Sequence, residues 1–168
     1  MLELWLRSRH LRGIGCSEIA IAVRSDVMRE ALPSKKQVLL ACRGTSFPGH
    51  PVLSAAHELT ELHGRRMAAA PEVCAELDSL RNDLVHTIDC WVTSRLPPSH
   101  GAARVHTETL GAVIDRLAQL TAHAYAALAH ASGRELTVAW ESLAELAVGY
   151  EDLASEVCTG RRRLPGGH

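Results

Sequence analysis

The stretch ELTVAWESLAELAVGYEDLASEVC, residues 135–158, decides the fold. Leu136, Trp140, Leu143, Ala147, Tyr150 and Ala154 recur every three or four residues, while Glu141, Glu145, Asp152 and Glu156 fall on the opposite side. That spacing is the signature of an α-helix with one face on a core and the other in water.

Upstream, the same pattern repeats. Val52, Leu53, Ala56, Leu59 and Leu62 predict a helix that starts at Pro51, a residue suited to the first helical position, and ends near residue 69. Leu77, Leu80, Leu84, Ile88 and Trp91 predict a second over about 72–94, closed before RLPPSHGAA because a residue that precedes proline is pushed out of the α region. Leu110, Val113, Leu117, Leu120, Ala124 and Leu128 predict a third from the HTETLG segment to about residue 131, with Thr107 or Thr109 as its cap. Ahead of them, Ser34 caps a short helix that stops at Gly44. The expected class is all-α: an antiparallel four-helix-bundle-like core over 30–158, an irregular and dispensable N-terminal extension over 1–29, and a disordered tail over 159–168. Within the extension only SEIAIAV has a pattern of its own, compatible with a short helix or a strand.

Composition agrees with that class. Of 168 residues, 46% are hydrophobic, 22% charged and 4% aromatic, an ordinary globular balance that favours helix over sheet. A formal charge of -1 gives no pull toward nucleic acid or an anionic membrane surface, so neither is an expected partner. Five scattered cysteines without a C-x-x-C pair fit free thiols in a reducing compartment. Arginines sit inside the only stretch a secretion signal could use, and no run reaches the ~18 apolar residues of a membrane span. The expected location is cytoplasmic.

Chemical motifs are sparse. HELTELH fails as H-E-x-x-H because Glu61 holds the fifth position, and Asp83 with His86 forms a D-x-x-H without the second helix motif that a di-iron bundle needs. No metal and no cofactor is expected. Neither G-x-S-x-G nor a phosphate-binding glycine loop occurs.

What stands out is polarity on the inward faces. At about 100° per residue, His63 lies about 20° from Val52, and Arg66 about 40° to the other side. Arg81, in RNDLVHTIDCW, lies about 40° from Leu77 and about 60° from Leu84. A buried unpaired guanidinium costs several kcal/mol, so Arg81 requires a partner. Two accounts supply one. Either Arg81 pairs with an acid of a neighbouring helix while Arg66 reaches the surface on its stem, or His63, Arg66 and Arg81 meet the start of the third helix. In the second account the N–H groups around His106, Thr107, Glu108 and Thr109 complete a pocket for a carboxylate or phosphate. Glu108 leaves the choice open, because it can occupy that helix start and pair with Arg81 itself.

Three segments together, HPVLSAAHELTELHGRR, RNDLVHTIDCWVTSRLPP and HTETLGAVIDRLAQLTAHAY, resemble the bacterial family catalogued as domain of unknown function 4254. The resemblance spans residues 30 to about 130. It implies an all-helical domain and marks Arg81, Asn82, Asp83, Asp89, Thr107, Glu108, Thr109, Gly111, Asp115 and Arg116, with no activity attached. It also implies a setting beside biosynthetic genes. The expected function is therefore binding of a small anionic molecule, or an accessory role in a bacterial biosynthetic pathway. One alternative is a biosynthetic enzyme that uses the same pocket with His63 or Glu108 as acid or base. The other is a non-catalytic homo-oligomeric module, allowing a homodimer, with its interface around His86, Asp89 and His123.

Overall fold

The computed structural model describes residues 32–96, 99, 101–130 and 133–166. The N-terminal extension expected over 1–29, SEIAIAV included, lies outside them.

Among the described residues there are five helices: α1 (Lys35–Cys42), α2 (Pro51–Ala68), α3 (Pro71–Arg95), α4 (Leu110–His130) and α5 (Gly133–Cys158). The class is all-α. The only strands among the described residues are β1 (Arg104–Val105) and β2 (Arg162–Arg163), which pair in parallel.

Local chemistry fixes the ends. Ser34 caps α1 in a reciprocal box: its hydroxyl accepts from the Gln37 N–H, and its own N–H donates to the Gln37 side chain. The same helix closes with Gly44 at φ 94°, Gly44 N–H on the Ala41 carbonyl and Thr45 N–H on the Leu40 carbonyl. Helix α5 closes the same way, with Gly160 at φ 70° and the Gly160 and Arg161 N–H groups on the Val157 and Glu156 carbonyls. These paired bonds satisfy carbonyls that the helix leaves open, and the left-handed φ suits glycine. Thr109 caps α4, its hydroxyl accepting from Ala112 N–H at 3.2 Å.

Helix α4 is the axis of the fold. It packs against α1, α2, α3 and α5, and its residues Leu110, Val113, Ile114, Leu117, Ala118 and Ala124 are buried. The expected four-helix ring differs in one respect. Among the described residues α5 packs on α4 and α1 but not on α2 or α3, and the two-turn α1 fills the space between α2 and α5. Val38 and Ala41 of α1 are fully buried there, and Tyr150 of α5 donates its hydroxyl to the Pro33 carbonyl at 2.7 Å. Burial pushes the pKa of that hydroxyl up.

Two expectations are corrected. The apolar stripe predicted for α3 holds at four of its five positions, with Leu77 and Ile88 buried and Leu84 and Trp91 half-buried against the core, but Leu80 is 43% exposed and Val92 is buried in addition. Arg81 takes the inward place beside Leu77, which turns Leu80 outward. The tail is not frayed over its described residues. The turn after α5 leads into β2, the His106 N–H donates to the Arg163 carbonyl at 2.8 Å, and Leu164 packs against the core.

Candidate functional site

Helix α4 carries a single acid, Asp115, among apolar residues that pack on four neighbouring helices. A carboxylate in that position loses its water and requires donors. They come from both sides. His63 of α2, 4% exposed, brings Nε2 to 2.8 Å from Asp115 Oδ1. Arg81 of α3 grips the same carboxylate with a fork, Nη2 at 2.6 Å from Oδ2 and Nε at 3.2 Å from Oδ1. Arg81 Nη1 then reaches Asp78, one turn earlier on α3, at 2.7 Å. Asp78 in turn accepts from Arg66 Nε at 2.8 Å and Nη2 at 3.1 Å.

The result is a chain of alternating charge, His63, Asp115, Arg81, Asp78 and Arg66, that runs from the interior to solvent and ties α2, α3 and α4 together. Its two arginines balance its two aspartates. Burial alone would raise the Asp115 carboxyl, but hydrogen bonds from His63 and Arg81 outweigh it and hold Asp115 below the ordinary carboxylate range. Hydrogen bonding to Asp115, against the opposing effect of burial, raises Arg81. The bond from Arg66 lowers Asp78.

The start of α4 is occupied from within the fold. Asp89 Oδ1 accepts the Gly111 N–H at 2.8 Å, and Thr109 takes the Ala112 N–H. Gly111 permits this approach, because a Cβ there would sit 2.6 Å from the Val85 carbonyl oxygen and 2.8 Å from Asp89 Oδ1. His106 Nδ1 lies 3.2 Å from the Glu108 N–H, Thr107 is exposed, and Glu108 pairs with Arg116 at 2.8 Å.

The predicted residues thus fall into two groups. His63, Arg66 and Arg81 are brought together. His106, Thr107, Glu108 and Thr109 lie about 12 Å along α3 from Arg81, eight residues at 1.5 Å each, where Asp89 serves the helix start. The internal-acid account of Arg81 describes the observed pairing, and its partners are Asp115 and Asp78. Residue spacing alone did not find them. A sequence signal existed for Asp115, the sole acid in its helix and flanked by the apolar Ile114 and Leu117; Asp78 offers only its i, i+3 relation to Arg81.

Among the described residues no group of three His, Cys, Asp or Glu side chains is placed to hold a metal ion. His86 and His123 are exposed, whereas Asp89 of the expected interface is turned to the cap. No helix among the described residues is long and apolar enough to cross a membrane.

The chain belongs to the family described as Protein of unknown function (DUF4254), whose model matches residues 60–165. The match starts inside α2, later than the resemblance at residue 30, and extends through α5 and β2. No curated protein and no solved structure matches the chain.

Proposed function

We propose that this chain is a non-catalytic interaction domain that self-associates through the end of the α4–α5 hairpin where α4 finishes and α5 begins. One contrast carries the reading. The polar cluster at the heart of the fold is internally paired and its guanidinium forks are engaged, while large apolar side chains stay in water where α4 and α5 project. Tyr125 and Trp140 meet edge to face with ring centroids 5.6 Å apart, each 38% exposed, and Leu128 on α4 is 56% exposed. Aromatic rings are the usual anchors of a protein interface, and an apolar patch can meet its own copy across a two-fold axis; the Arg43 guanidinium lies over the Tyr125 ring, 6.0 Å from its centroid.

The enzyme reading draws less support. His63 is nearly sealed from solvent, and among the described residues it has Asp115 as its hydrogen-bond partner rather than a nucleophile. Glu108 is held by Arg116. Binding of a small anion, whether or not it serves a biosynthetic pathway, keeps support from cations outside this cluster.

The test is mass against concentration. Sedimentation of the full chain from micromolar to hundreds of micromolar should show a monomer passing to a dimer. The double variant L128E/W140S should stay monomeric and keep its helicity. A wild type monomeric across the whole range sinks the proposal.

A further inference from the structure

Four arginines from two segments distant in sequence meet at the edge of the molecule. The pairing of β1 with β2 sets Arg104 opposite Arg162 and Val105 opposite Arg163. Arg161 precedes the strand at the turn that closes α5. Arg104, Arg161 and Arg163 are exposed, while Arg162 is half-buried with its Nε on the Glu156 carboxylate. That hydrogen bond, together with the fields of Arg162, Arg161 and Arg104, holds the Glu156 carboxyl below its ordinary range, so three of the guanidiniums act on one carboxylate. Three guanidiniums around one carboxylate leave a local excess of positive charge in a protein whose overall charge is -1.

This clustering is built by the fold rather than left to flexible side chains. Gly160, buried and left-handed, turns the chain; Leu164 packs on the core; and the His106 N–H holds the Arg163 carbonyl. The backbone of Arg104 is thereby fixed opposite Arg162 and one residue out of register with Arg161, which reduces the ordering cost of bringing the Arg104 and Arg161 forks to one ligand.

We propose that the β1–β2 ribbon is an anion site that takes the phosphate group of a small molecule, with Arg104 and Arg161 as the forks while Arg162 stays on Glu156. The proposal rests on the small-anion reading and is independent of self-association. A phosphate monoester carries close to two charges near neutral pH and offers three acceptor oxygens, which matches two guanidinium forks better than a single carboxylate does. The ribbon is two residues long in each strand and carries no aromatic residue. It therefore lacks the extended stacking groove that single-stranded nucleic acid uses.

Titration calorimetry on the full chain tests it, with inorganic phosphate and glycerol 3-phosphate as probes and sodium chloride at equal ionic strength as the reference. Saturable binding is expected, at least tenfold weaker in R104Q/R161Q and undiminished in R65Q, whose arginine lies on the far side of the fold on α2. Tighter binding of the ester identifies a metabolite as the source, and equal binding identifies free phosphate; either supports the site. R104K/R161K keeps the charge but loses the forks, and should fall between wild type and the glutamine variant. Because the removed side chains are on the surface, the melting temperature of R104Q/R161Q without ligand should stay within a few degrees of wild type. If that variant unfolds, the lysine variant decides, since unchanged affinity there means the forks are not used. Heats no larger than those of sodium chloride, or equal affinity in R104Q/R161Q, would overturn the proposal whatever the oligomeric state.

Discussion

At the scale of single residues, Arg81 is explained by Asp115. Replacement by leucine removes both bonds of the fork and leaves a carboxylate that is 9% exposed with His63 as its remaining partner. The expected cost is about 3 to 5 kcal/mol, as for other buried pairs broken on one side. Chemical denaturation of R81L measures it, and a loss below about 1 kcal/mol would show that water reaches Asp115 and that the fork contributes little. The same carboxylate sets an acid limit. Its folded pKa lies below the unfolded value, about 3.9 for aspartate, so its contribution is fully present above that value and lost as pH falls through the folded one. The stability difference between wild type and D115N should therefore narrow as pH drops from about 5 to below about 3. A difference that stays constant with pH would remove Asp115 from the acid response. The inward placement of Arg81 was legible from helical spacing, but its partner was not, because spacing within one helix says nothing about the rotation of the helix that faces it.

At the scale of elements, the helices were read within a few residues of their observed bounds, since proline starts, a serine cap and terminal glycines act locally and are visible in the chain. One position on the face of α3 was not. An apolar count places Leu80 in the stripe, but pairing with Asp115 pulls Arg81 inward and rotates Leu80 into a groove of 340 Å³ whose rim includes Glu58, Glu61 and Asp83. L80Q should thus change stability by no more than about 0.5 kcal/mol, the range of ordinary surface changes. I88A, at a side chain 1% exposed, should cost about 2 to 5 kcal/mol. Thermal melts that rank the two in the opposite order would mean that Leu80 packs inward, as the apolar count places it. The short β1–β2 ribbon was likewise out of reach of pattern reading. Two residues per strand carry no periodicity, and the pairing joins positions 104 and 162, which nothing local connects.

At the scale of the whole molecule, stability should not be uniform. Helix α4 is surrounded by four helices, and α2 and α3 are bolted to it by the Asp115 network. Helix α5 has a different attachment: it rests on α4 and α1, and its N-terminal turns, with Trp140 exposed and Val138 54% exposed, bury little. An opening that lifts those turns away breaks none of the ion pairs that hold α2, α3 and α4. Segments with few buried apolar contacts open at free energies below that of global unfolding. Native-state hydrogen exchange at low protein concentration should therefore give amides around residues 138–142 a smaller opening free energy than those around 114–121. As concentration rises, the gap should close if the hairpin end is the self-association surface, because a partner that covers Tyr125 and Trp140 stabilises the closed form by mass action. A gap that is present and insensitive to concentration would keep the uneven architecture but move the interface elsewhere. Equal protection in both segments at low concentration would show that α1 and α4 hold α5 as firmly as the aspartate network holds the other three helices.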